Sequence, residues 1–157
     1  MKLIPLALAV GLAAVATSAL SQAVCTGTPL TKLQIDAIVT SNTVCGRPGA
    51  GYPGGAGSSD RWQEEHKAGG QLWDYKLGPG HAVDRSKQVG TWSTVQPSPT
   101  DLSTISHAYS ATVVFTWLMY GPANNVPGQS TYSFCSSGAE HVRAFVRLGA
   151  VSCPSYP

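Results

Sequence analysis

Two hydrophobic periods divide the chain. In LTKLQIDAIVTSN, Leu30 to Asn42, the residues Leu33, Ala37 and Ile38 share one helical face. Thr31 and Gln34 stand at capping-box spacing, and Leu30 and Ile35 take the flanking hydrophobic-staple positions. The spacing predicts a helix from Lys32 to about Thr40, with Asn42 able to take the left-handed conformation that stops it.

Beyond the helix the period shortens to that of strands. Val142, Ala144, Val146 and Leu148 alternate with Arg143 and Arg147; Val113, Phe115, Trp117 and Met119 alternate with Thr112 and Thr116. Thr43–Cys45, Arg61–Lys67, Gln71–Leu77, Gln88–Val95, Thr131–Cys135, Ala139–Leu148 and Ala150–Cys153 read as strands. Ser103–Tyr120 is one long bent strand or two strands divided near Tyr109-Ser110. Gly/Pro-rich breaks separate them, the longest from Arg47 to Asp60. The expected fold is mainly β: a small antiparallel barrel or sandwich of about seven to eight strands with one short N-terminal helix.

The stretch RWQEEHKAGGQLWDYKL, Arg61 to Leu77, concentrates the chemistry. If Gly69-Gly70 forms a two-residue type I′ turn, His66 pairs with Trp73, Glu65 with Asp74 and Glu64 with Tyr75. One face then carries Trp62, Glu64, His66, Trp73, Tyr75 and Leu77, and the other is nearly all polar. A three-residue loop, Ala68 to Gly70, would instead set His66 opposite Leu72 and Glu64 opposite Asp74, scattering the aromatics over both faces. The clean amphipathic split favours the two-residue turn.

Bulk properties narrow the partners. The chain has 157 residues. Lys2, the apolar stretch Leu3–Leu20 and the small-x-small site Ser21-Gln22-Ala23 have the layout of a secretory signal peptide cleaved near Ala23. Residues 24–157 then form a single domain, periplasmic or secreted, with no further run long enough to span a membrane. Ten Lys and Arg against eight Asp and Glu leave a nearly neutral surface, which argues against nucleic acid. The four cysteines, Cys25, Cys45, Cys135 and Cys153, suit two disulfides in an exported domain. Of the three connectivities, Cys25–Cys45 with Cys135–Cys153 is expected, since each pair brackets a compact segment.

Glu64 and His66, two residues apart on one strand, are the inward-facing ionisable groups. Three roles suit them: a satisfied structural network, the polar part of a ligand pocket walled by Trp62, Trp73 and Tyr75, or a general acid–base pair. The last has no supporting nucleophile elbow, metal-protease helix or phosphate loop. No Cys-x-x-Cys or cysteine–histidine spacing suggests a metal, no cofactor motif occurs, and His81 near Asp84 reads as turn chemistry.

The helix followed by SNTVCG (Ser41–Gly46), then GTW (Gly90–Trp92) and the cysteine-ended strands YSFC and VSC, resembles small exported proteobacterial proteins. In those, a leucine-rich helix and a GNTV-type turn precede a compact β-barrel; Ser41 stands here where Gly is typical. The resemblance implies export and β-architecture and carries over no catalytic residue.

The function expected is therefore that of an exported, non-catalytic barrel binding a small ligand or an envelope protein. The alternatives are a small secreted hydrolase using Glu64 and His66, with Arg143 or Arg147 as charge stabilisers, and a purely structural or surface-interaction protein.

Overall fold

The structure, a computed structural model, describes residues 25–48, 62–74, 86–121 and 130–153, without the side chains of residues 47, 48 and 62. The expected signal segment, most of the expected 47–60 loop, Tyr75 to Leu77, and His81 with Asp84 lie outside the described residues.

A short helix, α1 (Lys32–Val39), leads into eight strands: β1 (Asn42–Pro48), β2 (Trp62–His66), β3 (Gln71–Asp74), β4 (Lys87–Val95), β5 (Thr104–Ala108), β6 (Val114–Tyr120), β7 (Thr131–Ser136) and β8 (Ala139–Leu148). Each strand pairs antiparallel with its sequence neighbour, and β1 pairs with β8 to close the barrel. Closure removes every exposed sheet edge. The long apolar stretch 103–120 is two strands, divided at Tyr109-Ser110, where Tyr109 N–H donates to the Val113 carbonyl.

Alternation sorts the faces as period two requires. Val44, Leu72, Trp92, Ile105, Trp117, Met119, Tyr132, Phe134, Val142, Ala144 and Val146 form the buried core, while Val113 and Leu148, at the ends of their runs, are exposed. Outward positions are polar where β4, β5 and β6 meet: Ser93 pairs with Ser106 and Ser106 with Thr116. No helix among the described residues is long and apolar enough to cross a membrane.

The capping box forms as its spacing predicts, with Thr31 and Gln34 each satisfying the other's backbone N–H. The buried face differs from expectation. Ile35, Ile38 and Val39 are buried, whereas Leu33 is 81% exposed and Ala37 is exposed. Residues 35, 38 and 39 have i, i+3, i+4 spacing and close one barrel end, where Lys32 and Asp36 bond to Thr94. The left-handed residue after the helix is Ser41 (φ 61°), whose N–H donates to the His66 carbonyl at 2.7 Å. Asn42 is instead a buried clamp: its Nδ2 donates to the Ile38 carbonyl, and its Oδ1 accepts from Gly149 N–H.

The hairpin takes the register of the three-residue loop. Glu64 pairs with Asp74, Glu65 with Trp73 and His66 with Leu72. Gly70 N–H donates to the Lys67 carbonyl at 2.9 Å, Lys67 N–H to the Gln71 carbonyl at 3.0 Å, and of the two glycines only Gly70 has positive φ (77°). This is a type I turn closed by one left-handed glycine. Strand β4 holds it there, because Trp92 N–H donates to the Gly70 carbonyl at 2.8 Å and Trp92 Nε1 to the Lys67 carbonyl at 2.9 Å.

The disulfides are also corrected. Cys25 pairs with Cys135, and Cys45 with Cys153. Each ties a segment beyond the barrel to a strand rather than bracketing a local loop. Residues 150–153, expected as a strand, form none; Val151 N–H donates to Thr43 Oγ1 and Cys153 N–H to Gln63 Oε1, so this tail lies over β1 and β2 and buries Gln63. Two disulfides are consistent with an oxidising environment.

Candidate functional site

Strand parity places Glu64 and His66 side by side on the inner face of β2, at 2% and 0% exposure. The register change leaves them there, because it alters which β3 residues face them, not their own direction. Leu72 takes the inward place expected of Trp73. Trp73 lies on the opposite face, half-buried beside Glu65, with Lys67 Nζ 4.3 Å from its ring centre. Trp62 opens β2 opposite Gly46, and Tyr75 lies outside the described residues.

Glu64 and His66 meet a partner strand across the barrel. On β5, Ile105 and His107 alternate inward, and Tyr109 follows at the strand's end. Tyr109 Oη donates to Glu64 Oε1 at 2.7 Å. His107 Nδ1 lies 3.5 Å from Glu64 Oε2, and His107 Nε2 lies 3.0 Å from His66 Nε2. His66 Nδ1 is 3.1 Å from the Glu64 carbonyl oxygen, so that nitrogen donates and carries hydrogen.

Aromatic rings wall the imidazoles. His66 lies 5.3 Å from the Trp92 ring, and His107 lies 5.1 Å from Trp117 and 6.3 Å from Phe134, centre to centre. Phe115 stacks on Trp117 at 5.6 Å, and Tyr109 meets Phe115 at 6.0 Å. Burial among these rings pushes the His66 imidazole down to about 4, against a smaller upward pull from the Glu64 carbonyl. Burial, and then the charge of His66, hold His107 well below the usual histidine range. Both rings are thus neutral near pH 7, and close polar contacts run from Tyr109 through Glu64 and His107 to His66.

The antiparallel order fixes its orientation. Beginning at the helix-capped end, β5 runs toward the far end, so Tyr109 stands at the end opposite α1. His107 and Tyr109 are the site residues that the hairpin does not reveal. The alternation Ile105, His107, Tyr109 carries their signal, but their meeting with β2 depends on barrel closure.

Arg143 and Arg147 point away from this interior, as their parity implies. Arg143 forms a two-pronged pair with Glu140, each contact 2.8 Å, and Arg147 donates to the Ser152 carbonyl. Arg143 also edges a separate open pocket of about 290 Å³ on the barrel wall, with Thr26, Tyr120, Gly121, Thr131 and Ser133. The chain matches no protein-family model, no curated protein and no solved structure.

Proposed function

We propose that this is an exported, disulfide-stapled barrel that binds a small polar ligand at the end opposite α1, with Tyr109 and Glu64 as its polar contacts. One observation carries the reading: a series of close polar contacts runs from fully buried His66 through His107 and Glu64 to half-buried Tyr109 at the end α1 does not close. Burying three titratable side chains among aromatic rings is costly unless they are mutually satisfied. A preformed polar group at the mouth of an apolar barrel is also how ligand sites are commonly built. The 2% exposure of Glu64 and the full burial of His66 favour binding over hydrolysis. The signal-like leader and the two disulfides support export.

Non-denaturing mass spectrometry of the chain purified from its exporting host tests both parts. The expected result is a chain beginning at Val24 with a retained small molecule, and loss of that mass in Tyr109→Phe. A mature chain that carries no added mass and shows no thermal shift across a metabolite panel would remove the ligand reading. Retention of residues 1–23 would remove the export reading.

A further inference from the structure

One row of residues crosses the outer wall where β6, β7 and β8 meet. Tyr120 pairs with Ser133, and Ser133 with Arg143. Directly paired residues project to one side, and the next row, Met119, Phe134 and Val142, is buried inside. The row of Tyr120, Ser133 and Arg143 therefore faces outward. Thr131 shares that face, two residues before Ser133 on β7. Thr26 reaches it from the N-terminal segment, which the Cys25–Cys135 bridge and the Pro29–Tyr120 backbone pairing fasten to β7 and β6. Together these residues line the pocket of about 290 Å³.

Glu140 orders the polar side of this pocket. Its half-sheltered carboxylate accepts from Ser133 Oγ at 2.6 Å and from Arg143 Nε and Nη2 at 2.8 Å each. Burial pushes the Glu140 carboxyl up, but the Arg143 and Ser133 hydrogen bonds and the Arg143 charge hold it below its ordinary value. A guanidinium has five N–H groups in one plane. Two go to Glu140, so the plane is fixed and the Nη1–Nη2 edge is left as a two-pronged donor. Among the described residues the hydroxyls of Thr26, Tyr120 and Thr131 have no partner, and each can donate or accept. The Tyr120 ring packs on no other ring among them, whereas Phe115 and Trp117 of the same strand stack together.

Charge and shape select the ligand. The Glu140–Arg143 pair is neutral overall, so an anion at the free edge would face the Glu140 carboxylate across the same guanidinium. Two adjacent alcohol oxygens accept the same N–H groups without that repulsion, and their O–H groups can donate to the threonine hydroxyls. Tyr120 adds a ring with an apolar body and a polar tip, which suits the C–H face of a sugar ring. At about 290 Å³ the pocket is at the small end of ligand cavities. We propose that it binds one ring of a neutral saccharide. The inference does not rest on the interior ligand reading, because the outer pocket uses neither Glu64 nor Tyr109.

A proton–nitrogen NMR titration of the disulfide-bonded chain with the methyl glycosides of glucose, galactose, mannose and N-acetylglucosamine tests it. At least one sugar is expected to give saturable shifts centred on Thr26, Tyr120, Thr131, Ser133 and Arg143. Arg143→Lys keeps the charge but loses the fork, and should weaken binding roughly 10–100-fold. Tyr120→Ala should weaken it more than Tyr120→Phe, which keeps the ring. Shifts on the unsubstituted chain locate the site even where a variant fails to fold. No saturable shift with any of the four sugars overturns the assignment. So would shifts confined to other residues, affinity unchanged in both Arg143→Lys and Tyr120→Ala, or tighter binding of galacturonate or inorganic phosphate than of the neutral sugars.

Discussion

At the residue scale, His66 gives the clearest pH dependence. Its folded-state value of about 4 lies below the ordinary 6.5, so between those values the unfolded chain binds more protons than the folded one. Stability is then full above about pH 6.5 and falls as the pH drops toward 4. Two to three pH units at about 1.4 kcal/mol each give a loss of roughly 3 kcal/mol, before any share from His107. Urea unfolding at pH 7 and pH 4.5 should show this fall. His66→Gln should flatten it, and an equal slope in both proteins would discount His66 as the source. Glu64 and His66 were legible as an inward pair because period two fixes residues 64 and 66 on one face. His107 and Tyr109 were not, since their approach across the lumen is set by eight strands closing rather than by any local pattern.

At the element scale, α1 and the hairpin show where local rules suffice and where they stop. The capping box located α1, because Thr31 and Gln34 satisfy backbone groups within one turn. Its buried face does not follow from the helical period, because Leu33 is as apolar as Ile35, and only the position of the barrel end decides between them. The Gly69-Gly70 pair suits either a two-residue or a three-residue turn. The choice lies with Trp92 of β4, whose N–H and indole bond to Gly70 and Lys67 from some twenty residues along the chain. The two turns predict different mutational patterns. A type I′ turn needs positive φ at both glycines, but here only Gly70 has it, and nothing lies within 4 Å of a Cβ on Gly69. Gly69→Ala should therefore be neutral or slightly stabilising, within about 1 kcal/mol. Gly70→Ala should cost about 1–2 kcal/mol, with its new Cβ 3.2 Å from the Trp92 carbonyl oxygen adding to the strain. Thermal unfolding of the two variants checks this, and equal losses at both would restore the two-residue turn.

At the scale of the whole molecule, the disulfides act on the barrel's closure. Cys25–Cys135 anchors the segment entering α1 to β7, and Leu30 N–H then donates to the Met119 carbonyl on β6. Cys45–Cys153 holds the C-terminal tail on β1, beside the seam where β1 pairs with β8. That seam joins the first strand to the last, so it is the pairing with the largest loop to close. The bridges span sequence separations of 110 and 108 residues. Chain entropy assigns a loop of that size roughly 4–5 kcal/mol, and measured losses run at about 2–5 kcal/mol. The two loops overlap for most of their length, so removing both should cost less than twice the single loss. Replacing Cys45 and Cys153 together by Ser should lower stability by about 2–5 kcal/mol, and should also release the tail and expose Gln63. Urea unfolding gives the first effect, and amide exchange at Cys153, whose N–H is held by Gln63 Oε1, gives the second. An unchanged unfolding midpoint with a faster-exchanging tail would show that β1–β8 pairing holds the barrel shut without the bridge.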